Sequence, residues 1–337
     1  MPEFTINFDG LNQTICCAAG DTLLRAALRA GLGFPYECNS GGCGSCKFEL
    51  VDGTVDTLWD DAPGLSPRDR ARGRHLACQC TPLSPVTLKV RLQAAHTTLR
   101  PRRRTVVLTA QSALTADMRE LCFRDTTPAE FHAGQFALLD LPGVHGSRAY
   151  SMSNLPNTDG EWRFIIKRVP DGHGSVYLFE QLKMGDQIEL DGPYGLAFLR
   201  PEVKRDIVCI GGGSGLSPMM AIAAAAVREP ALRDQQVLLF YGGRRPQDIC
   251  TPPLIARDAV LSARVTCFNA ISDRASADGW AGECCLIHEL VAKTLGDSMQ
   301  RHEFYFCGPP PMTDAVARML IVDYHVPPDQ LHYDRFY

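Results

Sequence analysis

Four cysteines in the N-terminal third of the chain have the spacing of a metal-cluster site. Cys38, Cys43 and Cys46 form a C-x4-C-x2-C run, and Cys78 follows after 31 intervening residues. Thiolates at this spacing hold the two irons of a [2Fe–2S] cluster, which carries one electron at a potential of about −400 mV. Glycines such as Gly41 let the backbone wrap closely round a cluster and direct N–H groups at its sulfides. The spacing therefore predicts a one-electron carrier.

Zinc is the alternative partner for paired cysteines. Cys38 and Cys43 are spaced more widely, and with more glycine between them, than the cysteines of a zinc knuckle. Cys80 could still form a second close pair with Cys78, so counting cysteines alone leaves zinc open. Counting also leaves Cys80 as an alternative fourth ligand of an iron–sulfur cluster. We expect the iron–sulfur cluster.

A glycine-rich turn later in the chain indicates a dinucleotide site. Residues 213–218, GSGLSP, follow an apolar segment at 207–210 and open an alanine-rich helix. Gly213 and Gly215 permit a tight turn and the close approach of a pyrophosphate, which the helix N-terminus stabilises. Pro218 suits a first helical turn, but it stands where the usual fingerprint has its third glycine. Alone, this turn is a weak signal.

The elements that would position these groups fall into three sets. Residues 1–97 show an alternating strand at 3–8, its return at 12–17, a helix starting after Asp21 or Thr22, and a closing strand from residue 86. Residues 98–202 contain short β-like segments separated by Gly, Pro and Asn, which predicts a small antiparallel β-barrel. Residues 203–337 alternate strands and helices, the pattern of a Rossmann-like parallel α/β domain. The predicted fold class is therefore multidomain α+β and α/β.

The sequence also predicts a domain boundary and the positions of individual strands and helices. Residues 100–104, RPRRR, are typical of a solvated domain boundary. Strands are predicted at 135–141, 148–153, 162–169, 207–210, 237–241 and 304–307, and helices at 217–228 and 311–324.

Composition excludes several classes of function. The chain has 337 residues, 45% hydrophobic content and a net charge of −4, so neither nucleic acid nor a membrane is an expected partner. Its longest apolar run, 219–227, is far shorter than the ~20 residues that span a bilayer. The acidic N-terminus lacks the apolar region of a signal peptide. We expect a soluble cytoplasmic protein, since a reducing compartment also suits its 14 cysteines.

Three further strings resemble motifs of the ferredoxin–NADP reductase superfamily. Residues 148–151 (RAYS) match its R-x-Y-S flavin motif, residues 172–175 (GHGS) its G-x-x-S turn, and residues 307–312 (CGPPPM) its C-G-P-x-x-M motif. The proline at 218 agrees, because this superfamily uses G-x-G-x-x-P at its nucleotide site. These strings follow a module that resembles a β-grasp ferredoxin, so the resemblance covers essentially the whole chain.

More closely, the chain resembles the NADH-dependent reductase components of bacterial multicomponent oxygenases. Segments 34–50, 61–66, 76–80 and 334–337 are most similar to toluene monooxygenase reductases. The segment at 75–78 resembles the one that delivers the last ligand in ferredoxins, which favours Cys78 over Cys80. Relatives with this domain order also serve phenol hydroxylase, methane monooxygenase and benzoate dioxygenase.

The resemblance implies roles for individual residues. Arg148 would bind a flavin phosphate through its forked donors, and Tyr150 would lie against the flavin ring. Four residues are candidates for the site of hydride transfer. Ser151 would lie at the flavin N5 edge and Cys307 where nicotinamide meets flavin, and either Phe336 or Tyr337 would cover the other ring face. The remaining residues expected to bind FAD or the nicotinamide nucleotide are Ala149, Gly172, Gly174, Ser175, Gly213, Gly215, Pro218, Gly308, Pro309 and Met312.

The resemblance also implies a function. Electrons would pass from NADH to FAD, then to the [2Fe–2S] cluster, then to a Rieske-type ferredoxin or directly to the hydroxylase of an aromatic, toluene-type di-iron monooxygenase. A ring-hydroxylating dioxygenase or a phenol- or methane-type monooxygenase is the nearer alternative, and a carrier without its own NADH turnover is one of another class. We expect a monomer, and NADH rather than NADPH, because Asp248 accompanies Arg244 and Arg245 after the strand at 237–241.

Overall fold

Three successive parts of the chain each form their own β-sheet. The computed structural model describes residues 2–94 and 99–335. Within these residues the N-terminal part has a five-stranded sheet and a two-stranded one, and each of the following parts has a six-stranded sheet. The sequence therefore folds in the order predicted, from α+β through an antiparallel β unit to parallel α/β.

The N-terminal part surrounds the cluster cysteines. Its elements are β1 (Glu3–Phe8), β2 (Thr14–Ala18), α1 (Leu23–Arg29), β3 (Lys47–Asp52), β4 (Val55–Thr57), α2 (Pro67–Ala71), β5 (Arg74–Leu76), β6 (Cys80–Pro82) and β7 (Val86–Lys89). The larger sheet has the order β2-β1-β7-β3-β5, and β4 pairs with β6. Of the two predicted caps, Thr22 is the N-cap of α1, because its hydroxyl accepts the Arg25 N–H (3.3 Å). The long segment between α1 and β3 carries Cys38, Cys43 and Cys46.

The middle part is an antiparallel barrel. Its elements are β8 (Arg102–Ala113), β9 (Met118–Arg124), β10 (Phe136–Asp140), β11 (Arg148–Ser151), β12 (Glu161–Lys167), α3 (His173–Val176) and β13 (Gln187–Tyr194). The sheet order is β11-β10-β13-β8-β9-β12. Its two edges meet, since Met152 bridges to Phe164 and the Ser153 N–H donates to the Arg163 carbonyl (2.8 Å). This closure removes free strand edges and encloses an aromatic core that includes Trp162.

The C-terminal part is a parallel sheet flanked by helices. Its elements are β14 (Asp206–Gly212), α4 (Leu216–Ala226), β15 (Val237–Gly243), α5 (Thr251–Ala256), α6 (Ala259–Arg264), β16 (Val265–Ile271), β17 (Glu283–Cys284), α7 (Ile287–Leu295), β18 (His302–Gly308), α8 (Pro310–Arg318) and β19 (Leu331–Arg335). The order is β17-β16-β15-β14-β18-β19. Apolar clusters cover both faces of the sheet, as parallel sheets require. Ligands bind such sheets at the carboxyl ends of the strands.

Most predicted segments are confirmed to within a few residues. Strand β1 has the predicted bounds, and β10, β11, β12, β14, β15 and β18 overlap their predicted ranges. The helix predicted at 311–324 is divided, because α8 ends at Arg318 and a wider turn continues from Met319 to Asp323. Among the described residues, no helix combines the length and apolar character needed to cross a membrane.

Candidate active site

The four predicted cluster ligands lie as two pairs of thiols. Cys38 is hydrogen-bonded to Cys43, and Cys46 to Cys78. The hydrogen bond from Cys43 lowers the pKa of Cys38 to about 5 and raises the pKa of Cys43. The hydrogen bond with Cys46, followed by burial, raises the pKa of Cys78. A [2Fe–2S] cluster has two irons held by four cysteines, and the two pairs of thiols match this requirement.

Backbone N–H groups donate to two of these sulfurs, and a buried amide side chain belongs to the same loop. The Ser40 and Cys43 N–H groups each donate to Cys38 Sγ (3.4 Å), and the Ser45 N–H donates to Cys43 Sγ (3.4 Å). Asn39 has a positive φ of 52° and is 1% exposed, and neither polar atom of its side chain has a partner among the described residues. Buried polar groups are normally satisfied. An inorganic sulfide would accept a hydrogen bond from Nδ2 of Asn39, so this donor and the backbone N–H groups fit the cluster.

Cys80 has different surroundings from Cys78. Its thiol is hydrogen-bonded to Thr57 and to the backbone of Leu76, and burial raises its pKa to about 12. Within residues 2–94 and 99–335, no group of three or more His, Cys, Asp or Glu side chains is arranged to hold a single metal ion. The hydrogen bond between Cys78 and Cys46 therefore supports Cys78 over Cys80 as the fourth ligand.

Strand β11 brings the predicted flavin residues to one edge of the barrel sheet. It pairs with β10, with Arg148 opposite Leu139 and Ser151 opposite Phe136. Ser151 is buried and Ala149 is exposed, while Arg148 and Tyr150, on the other face of the strand, are half-buried. Burial raises the pKa of Tyr150 to about 12, so its hydroxyl stays neutral at physiological pH.

Arg148 lies against the turn that begins α3. A Cβ at Gly174 would lie 2.8 Å from Arg148 Cγ, so glycine there leaves room for the arginine. One guanidinium nitrogen of Arg148 donates to the carbonyls of His145 (3.0 Å) and Gly146 (2.9 Å). This nitrogen fixes the loop before β11 and leaves the rest of the fork to bind an anion.

The Ser175 hydroxyl makes two hydrogen bonds within the turn that begins α3. It accepts the Val169 N–H (3.0 Å) and donates to the Gly172 carbonyl (3.0 Å). The first helical hydrogen bond of α3 runs from the Val176 N–H to the same carbonyl (2.8 Å). The N–H groups of residues 173–175 precede it and are the ones that a phosphate can meet. Ser175 was expected to bind a cofactor; because its hydroxyl is engaged within the turn, its backbone N–H is the donor left for a phosphate.

The nucleotide turn interlocks with the end of β18. Gly211 is opposite Cys307 in the parallel pair of β14 and β18. A Cβ at Gly215 would lie 2.0 Å from the Cys307 carbonyl oxygen, a distance that no other residue tolerates. Gly213 has a positive φ of 56°, and Pro218 lies buried in the first turn of α4. The two motifs therefore form one surface.

Cys307 lies at the floor of this surface. It is 1% exposed, and burial raises the pKa of its thiol well above the ordinary value. A Cβ at Gly308, where φ is 155°, would lie 2.8 Å from Met312 Cε. Pro309 precedes α8 as its N-cap residue. The thiol is therefore neutral and offers shape and polarisability rather than charge.

Ser217 was not assigned a role from the sequence, yet it joins two parts of the chain. Its hydroxyl donates to the Ser151 carbonyl (2.7 Å) and accepts the Ile165 N–H (3.0 Å). It is buried at the start of α4. The nucleotide helix is thereby held against the flavin strand. The sequence signal for this role was a polar residue at the second-to-last position of GSGLSP.

The C-terminal strand approaches the cluster loop. Asp334 in β19 is opposite Cys307 in β18. Burial, with smaller contributions from Glu37 and Cys38, raises the pKa of Asp334 to about 7. Phe336 and Tyr337, predicted to cover the flavin, lie outside the described residues.

One cleft is lined by the cluster loop, the flavin strand β11 and the C-terminal strand β19. Its volume is about 1140 Å³, slightly above the usual range of about 300–1,000 Å³ for small-molecule and cofactor pockets. Residues from all three parts line it, among them Cys38, Cys43, Arg148, Ser151 and Asp334. A flavin against β11 would therefore share a cavity with the cluster loop.

The N-terminal part and the barrel share an apolar interface. Phe136, Leu138 and Tyr194 of the barrel belong to the same buried cluster as the core of the N-terminal part. The Gly195 N–H donates to the Tyr36 hydroxyl (3.0 Å), two positions before Cys38. These contacts fix the cluster loop relative to the barrel.

Charged residues reinforce this interface. Arg29 is hydrogen-bonded to both Asp21 and Asp191, and Arg103 lies 2.9 Å from Asp21 and 3.8 Å from Asp191. Burial raises the pKa of the Asp191 carboxyl, and Arg29 opposes this shift. Arg103 belongs to the basic stretch at 100–104, which is exposed at Arg100, Arg102 and Arg103, so this predicted domain edge also contributes an ion pair to the interface.

Comparison with known proteins agrees with this geometry. Residues 6–83 match a 2Fe-2S iron-sulfur cluster binding domain, residues 105–198 an oxidoreductase FAD-binding domain, and residues 209–318 an oxidoreductase NAD-binding domain. A ferredoxin–NAD(P)(+) reductase of Metapseudomonas resinovorans is 45% identical, over 95% of this chain and 96% of the relative. The chain belongs to the ferredoxin–NAD(P) reductase components of multicomponent oxygenases.

Other members of this family serve different oxygenases. The ferredoxin–NAD(+) reductase component of an alkene monooxygenase system from Xanthobacter autotrophicus is 38% identical, over 96% of this chain and 98% of the relative. The xylene/toluene monooxygenase electron transfer component of Pseudomonas putida is 32% identical, over 100% of this chain and 94% of the relative.

Solved structures of this reductase family show the same architecture. The ferredoxin reductase in carbazole 1,9a-dioxygenase has a TM-score of 0.92 at 41% identity, covering 100% of this chain and 99% of its own. A cytochrome P450 reductase from Amycolatopsis has a TM-score of 0.84 at 29% identity, covering 99% and 98%. The predicted fold class, the three cofactors and the flavin-dependent reductase activity are thereby confirmed.

Proposed function

We propose that this chain is the NADH-oxidising reductase of an oxygenase system, and that it delivers electrons from its cluster to a Rieske-type ferredoxin. The observation that carries the proposal is the shared cleft, in which the flavin strand and Cys38 face one cavity. FAD, when bound, supplies a centre that takes two electrons as a hydride and gives them up singly, which a [2Fe–2S] cluster alone cannot do.

Different residues around the cleft would bind different groups of the FAD and the nicotinamide nucleotide. We assign Arg148 and the first N–H groups of α3 to the flavin phosphates, and Tyr150 and Ser151 to the ring. The turn at Gly213 and Gly215 would hold the nucleotide pyrophosphate, with Pro218, Gly308, Pro309 and Met312 shaping the same surface. No side chain has to move a proton, because a hydride passes between two cofactors held in contact.

We assign Cys307 to the pocket where the nicotinamide meets the flavin. Its neutral thiol suits this role, because a thiolate beside the departing hydride would add charge to a buried site. Phe336 and Tyr337 remain proposed covers of the flavin. We also propose domain boundaries near residues 97 and 202, a monomer, and a cytoplasmic location.

The acceptor can be tested with purified components. Anaerobic protein is reduced with NADH, then mixed with a Rieske-type ferredoxin, with a di-iron hydroxylase, or with both. We expect fast reduction of the ferredoxin, and reduction of the hydroxylase only when the ferredoxin is present. Equally fast reduction of the hydroxylase alone would contradict the proposed acceptor. Absence of any NADH-dependent bleaching would contradict the reductase assignment.

A ring-hydroxylating dioxygenase is the second candidate for the system served. The solved ferredoxin reductase in carbazole 1,9a-dioxygenase is 41% identical to this chain, whereas the toluene-type relative is 32% identical. The relatives at 45% and 38% identity are both named ferredoxin reductases, which supports a ferredoxin as acceptor in either system.

A further inference from the structure

The peptide of Gly195, directly after β13, is hydrogen-bonded on both sides. Its N–H donates to the Tyr36 hydroxyl of the N-terminal part (3.0 Å), and its carbonyl accepts the side-chain amide of Gln135 (3.2 Å). Gly195 has a positive φ of 103°, and a Cβ there would lie 2.9 Å from Phe136 Cδ1. Glycine is therefore required at this position, and the two hydrogen bonds hold its peptide in place.

Gln135 continues this series of hydrogen bonds to the flavin strand β11. It is 1% exposed, and its Oε1 accepts the His132 N–H (2.7 Å), so both ends of its side-chain amide have partners. Its backbone carbonyl accepts the N–H of Met152 (3.1 Å), the residue that follows Ser151. A series of hydrogen-bonded groups therefore joins Tyr36 to the end of β11, where we have placed the flavin N5 edge.

Tyr36 is the member of this series that acts on the cluster loop. It lies two positions before Cys38 and is 9% exposed, and its ring packs edge-on against Tyr194 at a centroid distance of 6.5 Å. The Tyr194 ring lies 6.0 Å from that of Phe136, which is opposite Ser151 in the pairing of β10 with β11. The packed rings and the hydrogen bonds thus connect the same two segments, the cluster loop and β11.

We propose that Tyr36 and Gln135 are positioning residues, which hold the Gly195 peptide between them and thereby determine how fast an electron passes from FAD to the cluster. In that step one electron leaves reduced FAD and reduces one of the two irons, and no bond to the protein forms or breaks. Electron transfer between centres that are not in contact slows steeply as their separation grows. Hydrogen bonds that fix the surrounding segments therefore govern the rate. The inference rests on the proposed route from NADH through FAD to the cluster.

The test measures this step directly in the full-length protein with FAD and the cluster bound. Under anaerobic conditions, flash photolysis of an added deazaflavin with a sacrificial electron donor delivers one electron to FAD, and visible absorbance follows its passage to the cluster. Tyr36→Phe removes the hydroxyl but keeps the ring that packs against Tyr194. We expect the transfer to slow about fivefold, because a loosened segment places the two centres less well. The reduction potential of the cluster, the KM for NADH and the rate of flavin reduction by NADH should stay unchanged.

Tyr305→Phe is the matched control. Tyr305 is buried in β18 of the C-terminal part, and its hydroxyl likewise accepts a backbone N–H, that of Arg200 (3.0 Å). Its loss should leave the transfer rate unchanged. The double variant Tyr36→Phe/Gln135→Met tests whether the two side chains act through one peptide, and its transfer rate should be no lower than that of the slower single variant.

Hydrogen exchange gives a readout that does not depend on activity. The Gly195 amide should exchange about tenfold faster in Tyr36→Phe than in the unaltered protein, since its hydrogen bond is lost. Tyr305→Phe should leave this exchange rate unchanged.

An unchanged transfer rate in Tyr36→Phe overturns the inference, as does an equal slowing in Tyr305→Phe or an unchanged exchange rate at Gly195. So does a slowing that a changed cluster potential accounts for in full, and so do single-variant effects that multiply in the double variant. If Gln135→Met does not fold, the rates and the hydrogen exchange of the two tyrosine variants decide. Failure of the unaltered protein to pass an electron from FAD to its cluster would instead refute the proposed function.

Discussion

Cys78 and Cys80 are two residues apart, but their thiols have different partners. Cys78 is hydrogen-bonded to Cys46, whereas Cys80 contacts Thr57. We therefore expect Cys78→Ser to lose most of its iron and the cluster's visible absorption while it still binds flavin. Iron and acid-labile sulfide per protein are the measurement. Cys80→Ser is the control, and a full cluster in Cys78→Ser with loss in Cys80→Ser would reverse the ligand assignment.

Arg148 is the residue whose removal should separate flavin binding from nucleotide binding. Arg148→Ala removes a charge-assisted hydrogen bond to phosphate worth about 1.5–3 kcal/mol. It also frees the loop at His145 and Gly146. We expect lower FAD occupancy after gel filtration, with little change in the affinity for NADH once FAD is restored. Arg168→Ala, at an exposed arginine paired with Glu180, is the control. Full occupancy with impaired NADH binding would contradict the assignment.

Residues were predictable from sequence where the chemistry itself fixes the spacing. The cluster cysteines are such a case, because four thiols must reach two irons. Ser217 and Tyr36 are not, since their partners Ser151 and Gly195 lie in other strands or loops and only the folded chain brings them together. A hydroxyl carries no local sign of such a partner.

At the level of elements, the interface between the N-terminal part and the barrel depends on Asp191 of β13. Asp191 is 1% exposed, and α1 supplies its partner Arg29. Removing one partner of a buried pair costs up to about 3–5 kcal/mol, and less here because Arg103 remains. We therefore expect Arg29→Met to lower the urea midpoint for loss of the cluster's visible absorption.

A matched set of variants distinguishes this pairing from a general effect of charge. Asp191→Asn combined with Arg29→Met should recover part of the loss, since no unpaired carboxylate is left buried. Arg68→Met, at an exposed position on α2, should change the midpoint little. Equal effects of Arg29→Met and Arg68→Met would contradict the role given to Asp191.

Elements were predictable, but their contacts across the three parts were not. Alternation at 3–8 and the apolar run at 207–210 follow from which face of a strand is buried. The basic stretch at 100–104 has the composition of a solvated linker, yet Arg103 pairs with Asp21 and Asp191. These partners are far away along the chain, so the sequence pattern around Arg103 does not reveal them.

For the whole molecule, the order of electron transfer depends on how the three parts meet. The cleft is lined by the cluster loop, the flavin strand and the C-terminal strand. Motif order predicted the three parts and their cofactors, because each motif belongs to one part. The common cleft is a property of their packing, through Tyr36, Tyr194 and their neighbours, and no single motif encodes it.

A fragment beginning at Leu99 tests whether the cluster lies on the route to the acceptor. It should keep FAD, oxidise NADH and reduce ferricyanide, which takes electrons directly from flavin. It should fail with cytochrome c and with the protein acceptor, because both need the N-terminal part. Removing that part exposes Phe136, Leu138 and Tyr194 and takes Arg29 from Asp191, so we also expect a lower Tm than for the whole chain.

Full-length Cys78→Ser separates loss of the cluster from loss of the interface. It retains the contacts of the N-terminal part with the barrel, so its flavin part should be more stable than the fragment. Its reactions should nevertheless match those of the fragment, with ferricyanide reduced and the protein acceptor not. If only the fragment failed with the protein acceptor, the N-terminal part would serve as a docking surface and its cluster would be dispensable. If the fragment reduced that acceptor at the rate of the intact chain, the order from NADH through FAD and the cluster to the acceptor would be wrong.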